Sequence, residues 1–305
     1  MKISHFCPRA AGTIVDIDVY GSDTLSFVDP SRIHALATGN FPDRYSGDAA
    51  LARKVEEKVL SFFTSATNLH LSGNSTSLDE SFSHFREPKE NHLGFSPTSS
   101  GTCLGEILET SFEDSVCEHI QSFYAAFHGL YTCPHVFLEA RNIARDRTSD
   151  IIVRACFKEF AEYTHAKAKE WGVAHYTRMT SEYWDTDSGN WKSETFELPS
   201  FPDGGKEYPL IFTPLVFTGH TDHISSLYPY LIAAYARYEK FKDIERGIPN
   251  PESCKKRREK LREECPDRES LLKFLQESMP PEERSEMLLF SQDQYVQWLA
   301  KKYWE

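Results

Sequence analysis

Residues 134–171, PHVFLEARNIARDRTSDIIVRACFKEFAEYTHAKAKEW, constrain the fold of this chain more than any other stretch. A short apolar run over 135–140 has the length of a buried strand. A charged turn follows, and then Val153, Phe157, Phe160, Ala161, Thr164, Ala168 and Trp171 recur at the 3.6-residue period of an amphipathic helix. Ser149 stands where an N-cap is expected, and Asp150 would oppose the positive end of a helix spanning 149–171. Strand followed directly by helix implies a sheet with helices laid against it.

The rest of the chain extends that pattern. Residues 13–29 alternate apolar and polar on either side of Gly21-Ser22-Asp23, a hairpin signal. Helical spacing of Leu51, Val55, Val59, Phe62 and Phe63 predicts a helix over 47–69, and further helices are expected over 104–127 and 224–244. The Ser- and Asn-rich residues 72–92 read as a surface loop, and 91–102 as a short strand entering a Ser/Gly loop. Residues 174–202 suit a hairpin, and 208–218 a buried strand interrupted at Pro214. After Gly247 the chain becomes charged and is broken at Pro266, Pro280 and Pro281. The expected architecture is α/β or α+β, a central mixed sheet flanked by helices. It divides into a core domain over 1–247 and a helical C-terminal appendage over 248–305.

Composition narrows the function classes. The 305 residues suffice for a substantial core, and 40% apolar with 13% aromatic content excludes a disordered chain. With 34 Lys and Arg against 46 Asp and Glu, the net charge of -12 disfavours diffuse nucleic-acid binding but leaves room for a local basic patch. No run reaches the roughly 20 apolar residues of a membrane span, and the N-terminus lacks a signal-peptide core. The seven cysteines are widely spaced and form no CxxC pair, so a cysteine zinc site is not expected and a cytoplasmic location is.

Several groupings could carry chemistry. Glu139 near the strand end, with Asp146 and Asp150 at the turn and helix entrance, could hold Mg²⁺ or Mn²⁺ against a phosphate. A PD-(D/E)XK-type nuclease needs such carboxylates and a lysine, but Glu139-Ala140-Arg141 offers arginine in the lysine position. Arg141, Arg145 and Arg147, with Arg154, could orient phosphate. Alternatively Glu139 is a surface charge and Asp150 a helix-dipole residue. His220, Asp222 and His223 could converge on zinc or manganese, or simply form a polar turn before a helix. Lys255, Lys256, Arg257 and Arg258 alternate with Glu259, Glu263 and Glu264, as a solvated helix face does. No GxSxG, P-loop or Gly-rich dinucleotide fingerprint is present.

The blocks FREPKENHLGFS (85–96), SSGTCLGEILE (99–109), VFLEARNIARDRTSDIIVRACFKEFAEYT (136–164) and YPLIFTPLVF (208–217) carry a further signal. Together they resemble a family of poorly characterised bacterial proteins from defence-like and mobile gene neighbourhoods. The resemblance puts weight on Glu87, His92, Ser96, Glu139, Ser149 and Asp150. The chain departs from the family pattern at Leu215, where that pattern has lysine, which opens the prospect of a degenerate, non-catalytic member. The expected function is a nuclease-like effector or subunit of an antiphage system, acting on DNA or RNA beside a partner protein. The alternative is a non-catalytic sensor or scaffold of the same system.

Overall fold

The structure is a computed structural model and describes residues 2–19, 24–39, 45–93, 145–203, 206–218 and 227–299. Its helices are α1 (Ile3–Phe6), α2 (Pro30–Thr38), α3 (Ser46–Leu71), α4 (Ser75–Ser83), α5 (Arg145–Ala155) and α6 (Phe157–Trp171). A three-stranded antiparallel sheet follows: β1 (Tyr176–Asp185), β2 (Asn190–Asp203) and β3 (Lys206–Pro209), in the order β1-β2-β3. The C-terminal part is helical, with α7 (Leu227–Glu245), α8 (Cys254–Glu264), α9 (Arg268–Ser278) and α10 (Pro281–Leu299). Helix and sheet are thus combined as α+β, with helices flanking the sheet and more helices after it. No helix among the described residues is long and apolar enough to cross a membrane.

The apolar stripe expected after the charged turn is the spine of the core. Val153, Phe157, Phe160, Ala161, Thr164 and Ala168 are all buried, as are Val55, Val59, Phe62, Phe63 and Ala66 on α3. The expected single helix is kinked into α5 and α6 at Cys156, whose thiol donates to the Val55 carbonyl of α3 at 3.7 Å. The backbone ladder bridges the kink, with Cys156 N–H on Ile152 O at 3.0 Å and Phe160 N–H on Cys156 O at 3.1 Å. α6 ends at Gly172, whose φ of 76° lets Val173 N–H reach back to Ala168 O at 2.9 Å.

The hairpin expected over 174–202 is β1 and β2, in register from Tyr176↔Pro199 to Asp185↔Asn190. At its turn Asp185 accepts from Ser188 N–H and Oγ at 3.0 and 2.6 Å and pairs with Lys192 at 2.6 Å. Those donors pull the Asp185 carboxyl down to about 2. Met179, Tyr183, Phe196 and Leu198 pack towards the core, while Thr180 and Thr195 face each other on the solvent side at 2.9 Å.

Three expectations are revised. Residues 72–92 are not a loop throughout: Asn74 caps α4 through Ser77 N–H at 3.2 Å, and Leu78, Phe82 and Phe85 are buried. Their four- and three-residue spacing is a helical stripe diluted by serine. Residues 13–19 and 24–29 do not pair with each other. They run extended and make single bridges elsewhere, Ile14↔Pro214, Val28↔Thr218 and Thr24↔Leu93. The 208–218 segment is a strand only up to Pro209. Beyond it Ile211 N–H goes to Glu90 O at 2.8 Å and Phe212 N–H to Thr164 Oγ1 at 2.8 Å, so its partners change residue by residue. The expected strand over 135–140 and helix over 104–127 lie outside the described residues.

A second apolar cluster joins Leu231 and Tyr238 of α7 to Leu261, Leu271, Leu275, Met287 and Leu288. It therefore draws on the helix before residue 247 as well as those after it. Asp267 caps α9 in a reciprocal capping box with Ser270 directly after Pro266, and α10 packs back on α2.

Candidate functional site

The described site candidates meet where α5 abuts the 86–93 turn. α5 begins at Arg145, so Ser149 and Asp150 lie in its second turn and not at its entrance. Thr148, Ser149 and Asp150 are 0%, 1% and 7% exposed. Ser149 is accordingly not an N-cap. Its Oγ accepts from Val28 N–H at 3.1 Å, tying the extended 24–28 segment to the helix. Ser149→Ala would leave that buried amide without an acceptor, at a cost of about 1–3 kcal/mol. Chemical denaturation should show this loss, with far-UV circular dichroism unchanged.

Arg154, one helical turn after Asp150, fixes the 86–93 turn. Its Nε donates to Arg86 O at 3.1 Å, Nη2 to Glu87 O at 3.4 Å and Nη1 to Ser181 Oγ on β1 at 2.9 Å. The guanidinium thus donates to two main-chain carbonyls and a hydroxyl. Burial lowers its proton affinity, and the carboxylates of Glu90, Glu182 and Asp150 act against that. The turn is fastened further by Thr24 N–H on His92 O at 2.8 Å and Leu93 N–H on Asn91 Oδ1 at 3.1 Å. His92 takes a left-handed backbone at φ 50°, a conformation uncommon outside glycine.

Glu87 and His92, singled out by sequence resemblance, are on this turn, and Ser149 and Asp150 are on the helix beside it. Glu87 is exposed and its carbonyl accepts from Arg154, while Glu90, three residues on, is half-buried with its Oε2 inside. The Oε2 of Glu90, the Nδ2 of Asn91 and the Oγ1 of Thr24 are buried atoms without a hydrogen-bond partner. Buried polar groups are usually paired with protein or water, so these three atoms leave hydrogen-bonding capacity at this corner. Sequence reasoning passed over Glu90 and Asn91 because a polar turn residue carries no signal of burial.

Arg145, Asp146 and Arg147 form the first turn of α5. Ser96, Glu139, Arg141, His220, Asp222 and His223 lie outside the described residues. Among the described residues no three His, Cys, Asp or Glu side chains group closely enough to hold a metal ion. Glu90, Glu182 and Asp150 are the carboxylates that bear on Arg154. Leu215, at the departure from the family pattern, is 43% exposed on a short 3₁₀ turn after Pro214.

Fold and site together define an α+β protein with a buried polar corner between a core helix and a strained turn. Residues 10–225 match the sequence profile of a family described as a domain of unknown function (DUF8370), and the chain belongs to that family. No curated protein and no solved structure matches it.

Proposed function

We propose that this protein is a nuclease-like effector of a bacterial antiphage system that hydrolyses phosphodiesters with Mg²⁺ or Mn²⁺. The observation that carries this reading is Asp150, a carboxylate 7% exposed on a core helix, beside a turn with orphaned polar atoms at Glu90 and Asn91. Asp150 and Glu90 would hold the cation, with Glu139 completing the set. The ion would supply an activated water and offset charge developing on the phosphorus. The Asn91 amide would donate to a phosphoryl oxygen, and Arg154 would hold the turn that carries Glu90 and Asn91.

A second reading, a non-catalytic sensor or scaffold, is favoured by the way Ser149 and Arg154 are used. Both serve the main chain, as structural residues do. The two readings separate in a cleavage assay on plasmid DNA and structured RNA with Mg²⁺ or Mn²⁺, run beside Asp150→Asn and Glu139→Gln. The nuclease reading expects cutting that falls at least about 100-fold in each variant, the scale of losing a group that stabilises transition-state charge. Absence of cutting by folded wild-type protein defeats it and leaves the interaction protein.

A further inference from the structure

Helix α8 carries its charges in the order that its own dipole opposes. Lys255, Lys256, Arg257 and Arg258 fill its first turns, where a helix favours acids, while Glu263 and Glu264 stand at its end, where it favours bases. The first turn contains no acid, and the only side-chain cap is Ser253, through Lys256 N–H at 3.3 Å. Two of these four are held by the fold: Arg257 pairs with Asp243 on α7, and Arg258 Nε donates to the Cys254 carbonyl at 3.2 Å. The Arg257–Asp243 pair sets the start of α8 against the end of α7, where Arg246 is exposed. Lys255 is 80% exposed and only 4.0 Å from Glu259 at closest, and Lys256 also faces solvent. Glu245, Glu252 and Glu259 are exposed acids of the same stretch, set against Arg246, Lys255, Lys256 and Arg258. A concentrated basic end on a chain of net charge -12, kept against local helix stability, is the kind of local conflict that function explains.

We propose that the start of α8, with Lys255, Lys256 and Arg246, is a docking surface for the phosphate backbone of nucleic acid. Complementarity of charge selects the occupant: a positive helix end and clustered ammonium groups match a polyanion, on a chain whose net charge is -12. The inference rests on the reading of the protein as one that acts on nucleic acid, and names the surface that delivers the strand. Phosphate contacts of this type position without reading sequence.

The test is fluorescence anisotropy of labelled duplex DNA and of labelled RNA, titrated with full-length wild type and Lys255→Glu/Lys256→Glu over a range of salt. The double variant should bind about tenfold or more weaker at low salt, and the slope of log affinity against log salt should fall by about 2, near one per lost phosphate contact. Its thermal midpoint should be equal to or above that of wild type, since acids replace bases at a helix start. The two nucleic-acid arms decide which polymer is held. Unchanged affinity and slope, or no wild-type binding in either arm, overturns the proposal. Binding lost in the double variant, from a wild type that never cuts, upholds this surface and defeats the nuclease reading. Cutting with undiminished binding in the variant does the reverse.

Discussion

Lys58→Met is expected to destabilise the protein by about 3–5 kcal/mol at neutral pH, the cost of leaving one partner of a buried ion pair alone. Lys58 Nζ and Glu159 Oε1 are 2.6 Å apart between α3 and α6, with side chains 8% and 11% exposed. The ammonium also lies 4.9 Å from the centre of the Tyr183 ring on β1, so one charge connects two helices and the sheet. Burial already raises the Glu159 carboxyl above its ordinary value, and Lys58 is the main influence opposing that rise. Without Lys58 the carboxyl moves further up. A carboxyl with a raised folded-state pKa favours folding while it is protonated, and that contribution fades as pH rises above the unfolded value. The variant should therefore be relatively more stable near pH 5 than near pH 8. Lys58→Met/Glu159→Leu should recover most of the loss, since a buried ion pair is often replaceable by apolar residues of similar size. Denaturant titrations of the three proteins at both pH values check this, and a double variant no more stable than Lys58→Met would refute it.

Phe62→Ala should cost a similar amount, about 3–5 kcal/mol for a fully buried aromatic. The Phe62 ring is 1% exposed and lies 4.9–5.9 Å from Phe85, Trp184, Phe63, Phe82 and Trp191. These rings come from α3, α4 with the segment behind it, and both strands of the hairpin, mostly edge to face, an arrangement that adds to area burial. The two tryptophans are oriented by their own hydrogen bonds, Trp184 to Ser61 Oγ at 3.1 Å and Trp191 to Ser81 O at 2.9 Å. The surroundings are thus poorly able to collapse into the space. Tryptophan emission should shift to the red in Phe62→Ala as well as the denaturation midpoint falling. A midpoint within about 1 kcal/mol of wild type would mean the hub is not a hub.

The periodic parts of this molecule were legible and the contingent parts were not. Val153 to Ala168 and Val55 to Ala66 announce their buried faces because a helix repeats its geometry every few residues. The β1–β2 hairpin and the breaks at Pro266 and Pro280 are equally local. α4 was obscured because serine and asparagine dilute a stripe of only Leu78, Phe82 and Phe85. At the site, sequence pointed to Asp150 and to the 87–92 turn, and the structure brings α5 and that turn together. It could not tell that Glu90 rather than Glu87 turns inward, nor that Ser149 and Arg154 serve the backbone.

By itself, then, the sequence determined the strongly periodic helices, that residues 174–202 suit a hairpin, where proline ends an element and how unevenly charge is distributed. Each follows from a few neighbouring residues and the fixed periods of the backbone. Only the tertiary structure decided that residues 14, 24 and 28 bridge to 214, 93 and 218, and that Arg154 reaches the Arg86 and Glu87 carbonyls. It also decided that Lys58 finds Glu159 in the interior. Those are meetings of residues far apart in the chain, and their energy depends on burial and distance, which no local pattern encodes.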